Sequence, residues 1–430
     1  MPKKNGNITR KKACSILSDV IDNHLTFDVA FSKHTKGYNT SQISSTDKAF
    51  IYLLCSSVLR YLTQIDYVIN FLLTKPIKKL PSNPKIALRI GIAQIFILKT
   101  PHHAAVNTSV NIVTTRWRGL VNAVMRNLIR DEDKYKEKFF ESPRIPKWLL
   151  NRWKKNWPND YVDFVESFQE IHPHIDIAVK KNIRKWQKKL NARALPNNIL
   201  RLKDSGIISN RPGYQDGEWW VQDYSSQLAV KCLKIKKGDE ILDLCAAPGG
   251  KTAQMISLGA EVVSVDQNKE RVEQLNENMN RLKFSPTIII TDILKFKTKK
   301  KWNKILLDVP CLATGTIRKN PDIMYSKNDK ILKSLVDLQK KLLKKSWSFL
   351  NTNGLLIYCN CSLEKEEGEI QIQDFLKNNK NCEIDKISPT EIDESEDIIT
   401  SDGWLRILTK GKTSVKSRDG FFIARLKKIA

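Results

Sequence analysis

The sequence predicts an all-α helical bundle followed by an α/β domain built on a parallel, Rossmann-like sheet. Residues 7–128 carry apolar side chains at helical spacing, and no stretch there requires a strand. From residue 241 onward, short apolar runs alternate with helical segments, which is the pattern of a parallel sheet. Between these regions the composition shifts to runs of charge and six tryptophans. We therefore predict three domains, at 1–132, 133–218 and 219–430.

Helix starts can be placed at several points in the first region. The first helix presents one apolar face, formed by Ala13, Ile16, Leu17, Val20 and Ile21. A second helix is predicted to begin at Thr46-Asp47, and a third at Ser82-Asn83-Pro84, where a polar cap precedes a proline in the first turn. His102 and His103 follow Pro101 without other residues at metal-ligand spacing, so we interpret them as the start of another helix.

The chain carries a large excess of positive charge. Its 430 residues include 73 Lys and Arg against 46 Asp and Glu, a formal net charge of +27. Such a balance favours a polyanionic partner, nucleic acid above all, although a Lys-rich composition can also arise from compositional bias. Between residues 133 and 220, basic residues alternate with tryptophans. This pattern suits a groove that tracks phosphates and stacks bases, and it equally suits tryptophans that dock on a neighbouring domain.

The cysteines and the apolar runs indicate the compartment. The eight cysteines include no C-x-x-C pair, and no secretory signal precedes them, so we expect free thiols in a reducing environment. No apolar run approaches the roughly 18 residues that span a bilayer. We therefore expect a cytoplasmic protein without membrane contact.

The segment 241–252 predicts a strand, a tight turn and a helix. Ile241 to Leu244 is a short apolar strand, and Pro248 to Gly250 break it before a helix that begins near Lys251. A phosphate-binding P-loop would need glycine where Cys245 stands, and the alternating glycines of a dinucleotide fingerprint are also missing. A different ligand is expected at the same edge of the sheet.

Three later strands each end in aspartate, at Asp266, Asp292 and Asp308. The carboxyl ends of parallel strands lie at one edge of a sheet, where ligands bind. Asp266 comes 23 residues after Asp243, the place at which such sheets carry the acid that binds ribose hydroxyls. Any one of these residues could simply start a turn. Three of them in register favour a ligand site.

Two cysteines stand at strand ends in the same region. Cys311 follows Asp308, and Cys361 follows the next strand. We expect these fourth and fifth strands to neighbour the first strand, which would bring both thiols to the crevice near Cys245. A single cysteine is most often a small buried apolar residue, and a structural zinc site would need paired short spacings and histidines, so no metal is implied. Nucleophilic catalysis is the sharper interpretation.

The C-terminal region carries structural signals. The acidic run 391–397 is interpreted as a solvated loop. Residues 404–408 and 421–426 predict an antiparallel pair at the edge of the sheet.

Several segments together resemble the RNA cytosine-5 methyltransferases, and most closely the 16S rRNA methyltransferase B family within them. The α/β motifs that carry the resemblance are 245–252, 308–311 and 360–362, with 222–227 and 419–426 also fitting the pattern. The bundle resembles the RNA-binding helical domain of the antitermination factor NusB, through residues 88–94 and 105–128.

The resemblance implies a class I methyltransferase domain that uses S-adenosyl-L-methionine to methylate C5 of a cytosine in 16S rRNA. The expected partner is this RNA, either naked or in an early small-subunit particle, and the expected state is a monomer. Two alternatives remain open. The same reaction could act on tRNA, or the chain could be a non-catalytic RNA-binding or assembly factor that has kept the fold.

The resemblance also assigns roles to individual residues. Cys361 would be the nucleophile that adds to cytosine C6, Cys311 would assist its later release, and Asp308 would bind the pyrimidine edge and support protonation at N3. Asp266 would hold the cofactor's ribose, Asp292 would lie near its adenine and Asp308 near its methionine end. The rest of the cofactor site would be formed by Cys245, Ala246, Ala247, Pro248, Gly249, Gly250 and Lys251.

Two positions depart from the family patterns. Asn360 stands where the methyltransferases usually have threonine, and an extra thiol, Cys359, lies two residues before Cys361 and on the same side of a strand. Cys359 is thus a candidate surrogate nucleophile. In the bundle, Thr108 and Ser109 stand where NusB proteins usually carry an acidic residue.

Overall fold

A computed structural model describes residues 5–35, 43–168, 173–203, 206–394, 396–409, 415 and 417–429. The helices, numbered along the chain, are α1 (Asn5–Ile21), α2 (Phe27–Thr35), α3 (Ser45–Arg60), α4 (Leu62–Leu72), α5 (Ser82–Ile92), α6 (His102–Asn111), α7 (Thr115–Arg130), α8 (Glu132–Glu141), α9 (Lys147–Asn156), α10 (Tyr161–Ser167), α11 (Ile183–Lys189), α12 (Tyr224–Lys231), α13 (Gly250–Ser257), α14 (Lys269–Leu282), α15 (Ile323–Ser326), α16 (Asp329–Ser348), α17 (Glu369–Asn378) and α18 (Pro389–Ile392).

The strands fall in the second half of the chain. They are β1 (Asp176–Val179), β2 (Ala192–Leu195), β3 (Ile199–Leu202), β4 (Trp219–Val221), β5 (Glu240–Leu244), β6 (Glu261–Asp266), β7 (Thr287–Ile290), β8 (Trp302–Asp308), β9 (Leu350–Asn360), β10 (Cys382–Ile384), β11 (Leu405–Ile407) and β12 (Phe421–Lys428). Within the described residues, no helix is both long and apolar enough to cross a bilayer.

The chain divides into two compact units, 1–171 with 319–328, and 172–318 with 329–430. The three domains expected from the sequence stay a prediction. In the first unit, the described residues from 5 to 168 are mainly helical, and the side chains buried between Ala13 and Phe139 form one apolar core. This confirms the helical prediction for residues 7–128. The short segment 319–328 belongs to this unit: the Phe27 N–H donates to Asp322 at 3.1 Å, and the Trp148 indole N–H donates to the Met324 carbonyl at 3.0 Å.

The helix starts follow local chemistry. Helix α3 begins one residue before the predicted position, because Ser44 caps it and exchanges hydrogen bonds with Asp47 in a capping box. Helix α5 begins at Ser82, after Pro81 at the cap position. His102 is the first residue of α6, which confirms its interpretation as a helix start.

The second unit contains the predicted parallel sheet. In the described residues, its strands run in the order β10-β12-β9-β8-β5-β6-β7, with β11 also pairing with β12. Strands β5 to β9 are parallel, and β12 is antiparallel to β9. Strand β5 lies between β6 and β8, so the order reverses at β5 and a crevice opens beyond its carboxyl end.

The sheet corrects three details of the expectation. Strand β9 pairs with β8 and not with β5, although both thiol-bearing strand ends still reach the same edge. Strand β12 pairs with β11 as predicted, but it lies inside the sheet, between β9 and β10. The acidic run is only partly a solvated loop: Asp393, Glu396 and Asp397 are exposed, whereas the Glu391 carboxylate accepts from buried Arg425 at 2.7 Å and the Glu394 side chain is buried.

A second, smaller sheet lies in the region that was rich in tryptophan. The described residues form four antiparallel strands in the order β2-β3-β1-β4. Trp153, Trp186, Trp219 and Trp220 are all buried. These side chains are therefore core residues and not exposed platforms for stacked bases.

Candidate active site

The turn after β5 is shaped by backbone conformation and by Asp266. Cys245 has a φ of 59° and Gly249 a φ of 96°, and a Cβ at Gly249 would come within 3.0 Å of Leu275 Cγ. Asp266, at the end of β6, accepts the Ala247 N–H at 3.1 Å and the Asn268 N–H at 3.0 Å. The predicted ribose acid thus also holds the turn in place. Helix α13 begins at Gly250, directly behind the turn.

A crevice lies beyond the carboxyl ends of β5, β8 and β9. It is lined by Val221, Gln222, Asp223, Ser226, Asp243, Cys245, Ala246, Ala247, Pro248, Gly250, Lys251, Asp308, Thr316, Cys361, Asp419 and Phe421. Most of the predicted turn residues line it, as do Asp308 and Cys361. Gly249, Asp266 and Asp292 do not. The stretches 222–227 and 419–426, singled out by resemblance alone, each contribute part of the wall.

Asp292 lies beyond the end of a strand that is shorter than predicted. Strand β7 ends at Ile290, and Asp292 accepts the Leu294 N–H at 2.9 Å in the turn that follows. This is the turn-starting role that any of the three aspartates could have had. The carboxylate keeps further lone pairs beside this bond, and its position near an adenine stays a prediction.

Lys251 and Asp308 form an ion pair at the floor of the crevice. Lys251 Nζ lies 2.7 Å from Asp308 Oδ2, and the Cys359 thiol contacts the other oxygen, Oδ1, at 3.6 Å. Although burial disfavours the ammonium, the Asp308 carboxylate holds the pKa of Lys251 above its ordinary value. Lys251 was expected to bind a cofactor, and its contact is with the proposed catalytic carboxylate.

The two thiols expected to do chemistry are in contact. Cys311 Sγ and Cys361 Sγ are 3.6 Å apart. The hydrogen bond with Cys361, together with burial, raises the pKa of Cys311. Cys361 lines the crevice, whereas Cys359 is fully buried and burial raises its pKa. All eight cysteines lie in the described residues and are free thiols, as the sequence predicted.

Asp243 is a site residue that the sequence reasoning did not single out. It is buried at 1% exposure and lines the crevice, and burial raises its pKa to about 7. Its Oδ2 accepts from the Thr252 hydroxyl at 2.6 Å, but its Oδ1 meets no hydrogen-bond partner in the described part of the chain. A buried acceptor without a partner is costly, so this oxygen is suited to a ligand donor. Its position beside Leu244, at the end of β5, was the available signal.

No group of three or more His, Cys, Asp or Glu side chains in the described residues is arranged to hold a metal ion. The polar side chains that line the crevice are carboxylates, one ammonium, two thiols, two hydroxyls and an amide, a set suited to an organic cofactor and a base.

Comparison with known proteins places this chain in a family. Residues 230–427 match the family described as 16S rRNA methyltransferase RsmB/F, and residues 7–130 match the NusB family. Ribosomal RNA small subunit methyltransferase B of Cronobacter sakazakii is 32% identical, across 90% of this chain and 91% of its own. The enzyme of the same name from Pasteurella multocida is 30% identical, across 98% and 96%.

Solved structures agree on the fold. PH0851 superposes with a TM-score of 0.78 at 21% identity, covering 97% of this chain and 98% of its own. A methyltransferase homolog protein from Pyrococcus horikoshii has a TM-score of 0.53 at 26% identity, covering 65% and 94%. The predicted order of a NusB-like bundle and an α/β methyltransferase domain is thereby confirmed. The chain belongs to the ribosomal RNA small subunit methyltransferase B family, whose methyltransferases depend on S-adenosylmethionine and act on rRNA.

Proposed function

We propose that the protein methylates C5 of one cytosine in 16S rRNA through a covalent adduct between Cys361 and cytosine C6. The observation that carries this proposal is the pair of thiols, 3.6 Å apart, at the ends of adjacent strands beside the Asp308 carboxylate. Only one of the two, Cys361, lines the crevice. An attacking thiol with a second thiol beside it suits a reaction that must both form and release an adduct.

The chemistry requires a nucleophile because cytosine C5 is too weak to attack a methyl donor unaided. The Cys361 thiolate forms a bond to C6 and pushes electron density onto C5, which then takes the methyl group. Loss of the C5 proton to water and departure of the Cys361 thiolate restore the aromatic ring, and the Cys311 thiol, 3.6 Å from Cys361, can donate a hydrogen bond to that departing sulfur. The base must first leave its stack, since the crevice cannot reach it within a helix.

Asp308 and Lys251 would bind the polar edge of the base. The Asp308 carboxylate is held by Lys251 on one oxygen and by the Cys359 thiol on the other. Its side chain keeps 31% of its surface exposed toward the crevice, so it remains able to hydrogen-bond a pyrimidine. The Lys251 ammonium is the adjacent cation, and it can stabilise the negative charge that spreads to the polar edge of the base when the thiolate adds to C6.

The crevice fits S-adenosylmethionine, which would supply the methyl group. The unpartnered Asp243 Oδ1 is suited to accept from the ammonium of its methionine end. Asp266 has lone pairs left for ribose hydroxyls, and the residues from Cys245 to Gly250 offer backbone close to the ligand. Asp292 would lie beside the adenine.

Exposed cations suit the RNA partner. Helix α11 and the residues before it expose five basic side chains, Lys181, Arg184, Lys185, Lys188 and Lys189. In the other unit, α7 exposes Arg116, Arg118 and Arg126. Such clusters bind phosphates without regard to sequence. We propose that the protein acts as a monomer in the cytoplasm, on 16S rRNA that is naked or in an early particle.

Bisulfite sequencing of total RNA tests the substrate. Cells that lack the gene should lose protection at one 16S cytosine, and the wild-type copy should restore it while Cys361→Ser should not. Loss of a tRNA mark with every 16S mark intact would replace the substrate by tRNA. No change at any cytosine would leave the non-catalytic RNA-binding alternative.

A further inference from the structure

A buried glutamate lies behind the loop that carries Cys311. Glu367 is 0% exposed, and its two carboxylate oxygens lie 3.0 and 3.2 Å from the Leu312 N–H that donates to them. The buried Gln339 amide donates both to Glu367 Oε1 at 2.9 Å and to the Pro310 carbonyl at 2.8 Å. The Glu367 carboxylate thus fixes Leu312 directly and Pro310 through Gln339, so it holds the residues on both sides of Cys311.

The same residue also holds the strand end that carries Cys361. The Glu367 carbonyl accepts the Asn360 side-chain amide at 2.7 Å and the Tyr358 hydroxyl at 2.8 Å. The Asn360 side-chain oxygen in turn accepts the Ser362 N–H at 3.0 Å. Cys361 lies between Asn360 and Ser362, so its backbone is fixed on both sides. This is what asparagine does at the position where threonine was expected.

We propose that Glu367 is a positioning residue that sets the two thiols against each other, through its carboxylate for Cys311 and through its carbonyl and Asn360 for Cys361. The proposal rests on the assigned roles of the two cysteines. Both thiols must serve one base in succession, and a displacement of about 1 Å in such a site can cost about 100-fold in rate.

The energetics of Glu367 suit a positioning role better than a purely stabilising one. Burial raises the pKa of Glu367 to about 7 despite its hydrogen bonds, so folding disfavours its anion. A glutamine of the same shape would avoid that cost, and its oxygen could still accept from Leu312 and Gln339. The Glu367→Gln variant should therefore fold at least as well as the wild type and keep the geometry.

Loss of the contact to the Cys311 loop and loss of the contact to Asn360 should produce different kinetic defects. Glu367→Ala removes the acceptor for the Cys311 loop and the carboxylate's bond with the Ser362 side chain, but it keeps the carbonyl that binds Asn360 and with it most of the support of Cys361. It should leave methylation in a single turnover within about twofold of the wild type, slow multiple turnover by about tenfold and accumulate RNA-linked protein. Asn360→Ala should instead slow the formation of that adduct. Glu367→Gln should restore release.

The test measures adduct formation on 5-fluorocytidine RNA and turnover on cytidine RNA, with purified full-length protein. Gln339→Met is the second variant, because it removes the donors to Glu367 and Pro310. On the Cys361 side it removes only the 3.4 Å contact from the Tyr358 hydroxyl, which keeps its bond to the Glu367 carbonyl, so it should show the same release defect in weaker form. Glu391→Gln is the control, since that carboxylate binds Arg425 on β12 and not a thiol-bearing segment.

Two results would overturn the positioning role. One is a Glu367→Ala protein whose adduct formation and release fall together, in proportion to its folded fraction and to the same extent as in Glu391→Gln. The other is a folded Gln339→Met protein with wild-type release. Failure of the proposed function looks different, because the wild type itself would then form no adduct or Cys361→Ser would stay active.

Discussion

Two buried aspartates of the second unit, each 1% exposed, have opposite surroundings. Asp176, in the small sheet, accepts from Arg201 at 2.6 and 2.9 Å and from the Tyr224 N–H at 3.2 Å. Asp243, at the crevice, has one hydroxyl partner and one oxygen without any in the described chain. Both carboxylate oxygens of Asp176 therefore have donors, whereas Asp243 has one oxygen available to a ligand. Asp176 therefore stabilises the fold, whereas Asp243 is suited to bind a ligand.

Removing the nucleophile should have the largest effect and leave the fold alone. Cys361→Ser should lower turnover by about 10⁴-fold, because serine is a poor nucleophile at neutral pH. Its thermal unfolding should match that of the wild type, since Cys361 lies at the crevice and not in the core. Steady-state methylation and melting curves measure the two quantities, and Cys311→Ser, which keeps the attacking thiol, is the control. A variant that methylates at the wild-type rate would remove Cys361 from the mechanism.

Breaking the ion pair between Asp176 and Arg201 should lower stability and leave activity nearly unchanged. Asp176→Ala removes the carboxylate that pairs with the buried Arg201 guanidinium, so the free energy of unfolding should fall by about 3 to 5 kcal/mol. Activity per folded molecule should stay within about twofold. Urea denaturation and titration of active sites with 5-fluorocytidine RNA give both numbers. A stable Asp176→Ala protein that has lost activity would instead place Asp176 in the reaction or in ligand binding.

Replacing Asp243, which has an oxygen without a partner in the described chain, should weaken binding of the cofactor. Asp243→Asn keeps the shape and the Thr252 contact but loses the charge, so affinity for S-adenosylhomocysteine should fall by about tenfold. Calorimetry measures this affinity directly. Thermal stability without ligand should stay equal or rise, because the variant no longer buries an acid. Unchanged affinity would mean that Asp243 Oδ1 does not meet the cofactor.

The buried Asp243 should also make stability depend on pH. The folded-state pKa of Asp243 is about 7, above its unfolded value, so the folded state binds a proton that the unfolded state has released between about pH 4 and pH 7. This contribution to stability is full below pH 4 and is lost as pH rises through 7. Relative to Asp243→Asn, the wild type should lose on the order of 2 kcal/mol between pH 5 and 8. Urea midpoints at the two pH values check the sign, and equal losses in both proteins would contradict it.

Much of the α/β domain could be predicted because its signals are local. The strand β5, the turn before Lys251 and the aspartates that end β6 and β8 all stand within short segments, and the structure has each of them. The signal for the start of α6 was also local, because His102 directly follows Pro101.

The missed features depend on contacts between residues far apart in sequence. Glu367 meets Leu312 across 55 residues, and Glu391 meets Arg425 across 34, so neither segment shows its role by itself. The burial of Trp186 and Trp219 also depends on a sheet whose strands are not obvious from periodicity. Sequence spacing placed the two thiols at one edge but could not place β9 beside β8.

The most direct measurement identifies the cysteine that bonds to the base. The protein should be trapped on 5-fluorocytidine 16S rRNA with S-adenosylmethionine, digested and analysed by mass spectrometry. We expect a fluorinated, methylated cytidine attached to Cys361 alone, with Cys311 and Cys359 unmodified. Attachment to Cys359 or Cys311 in the wild type would contradict it.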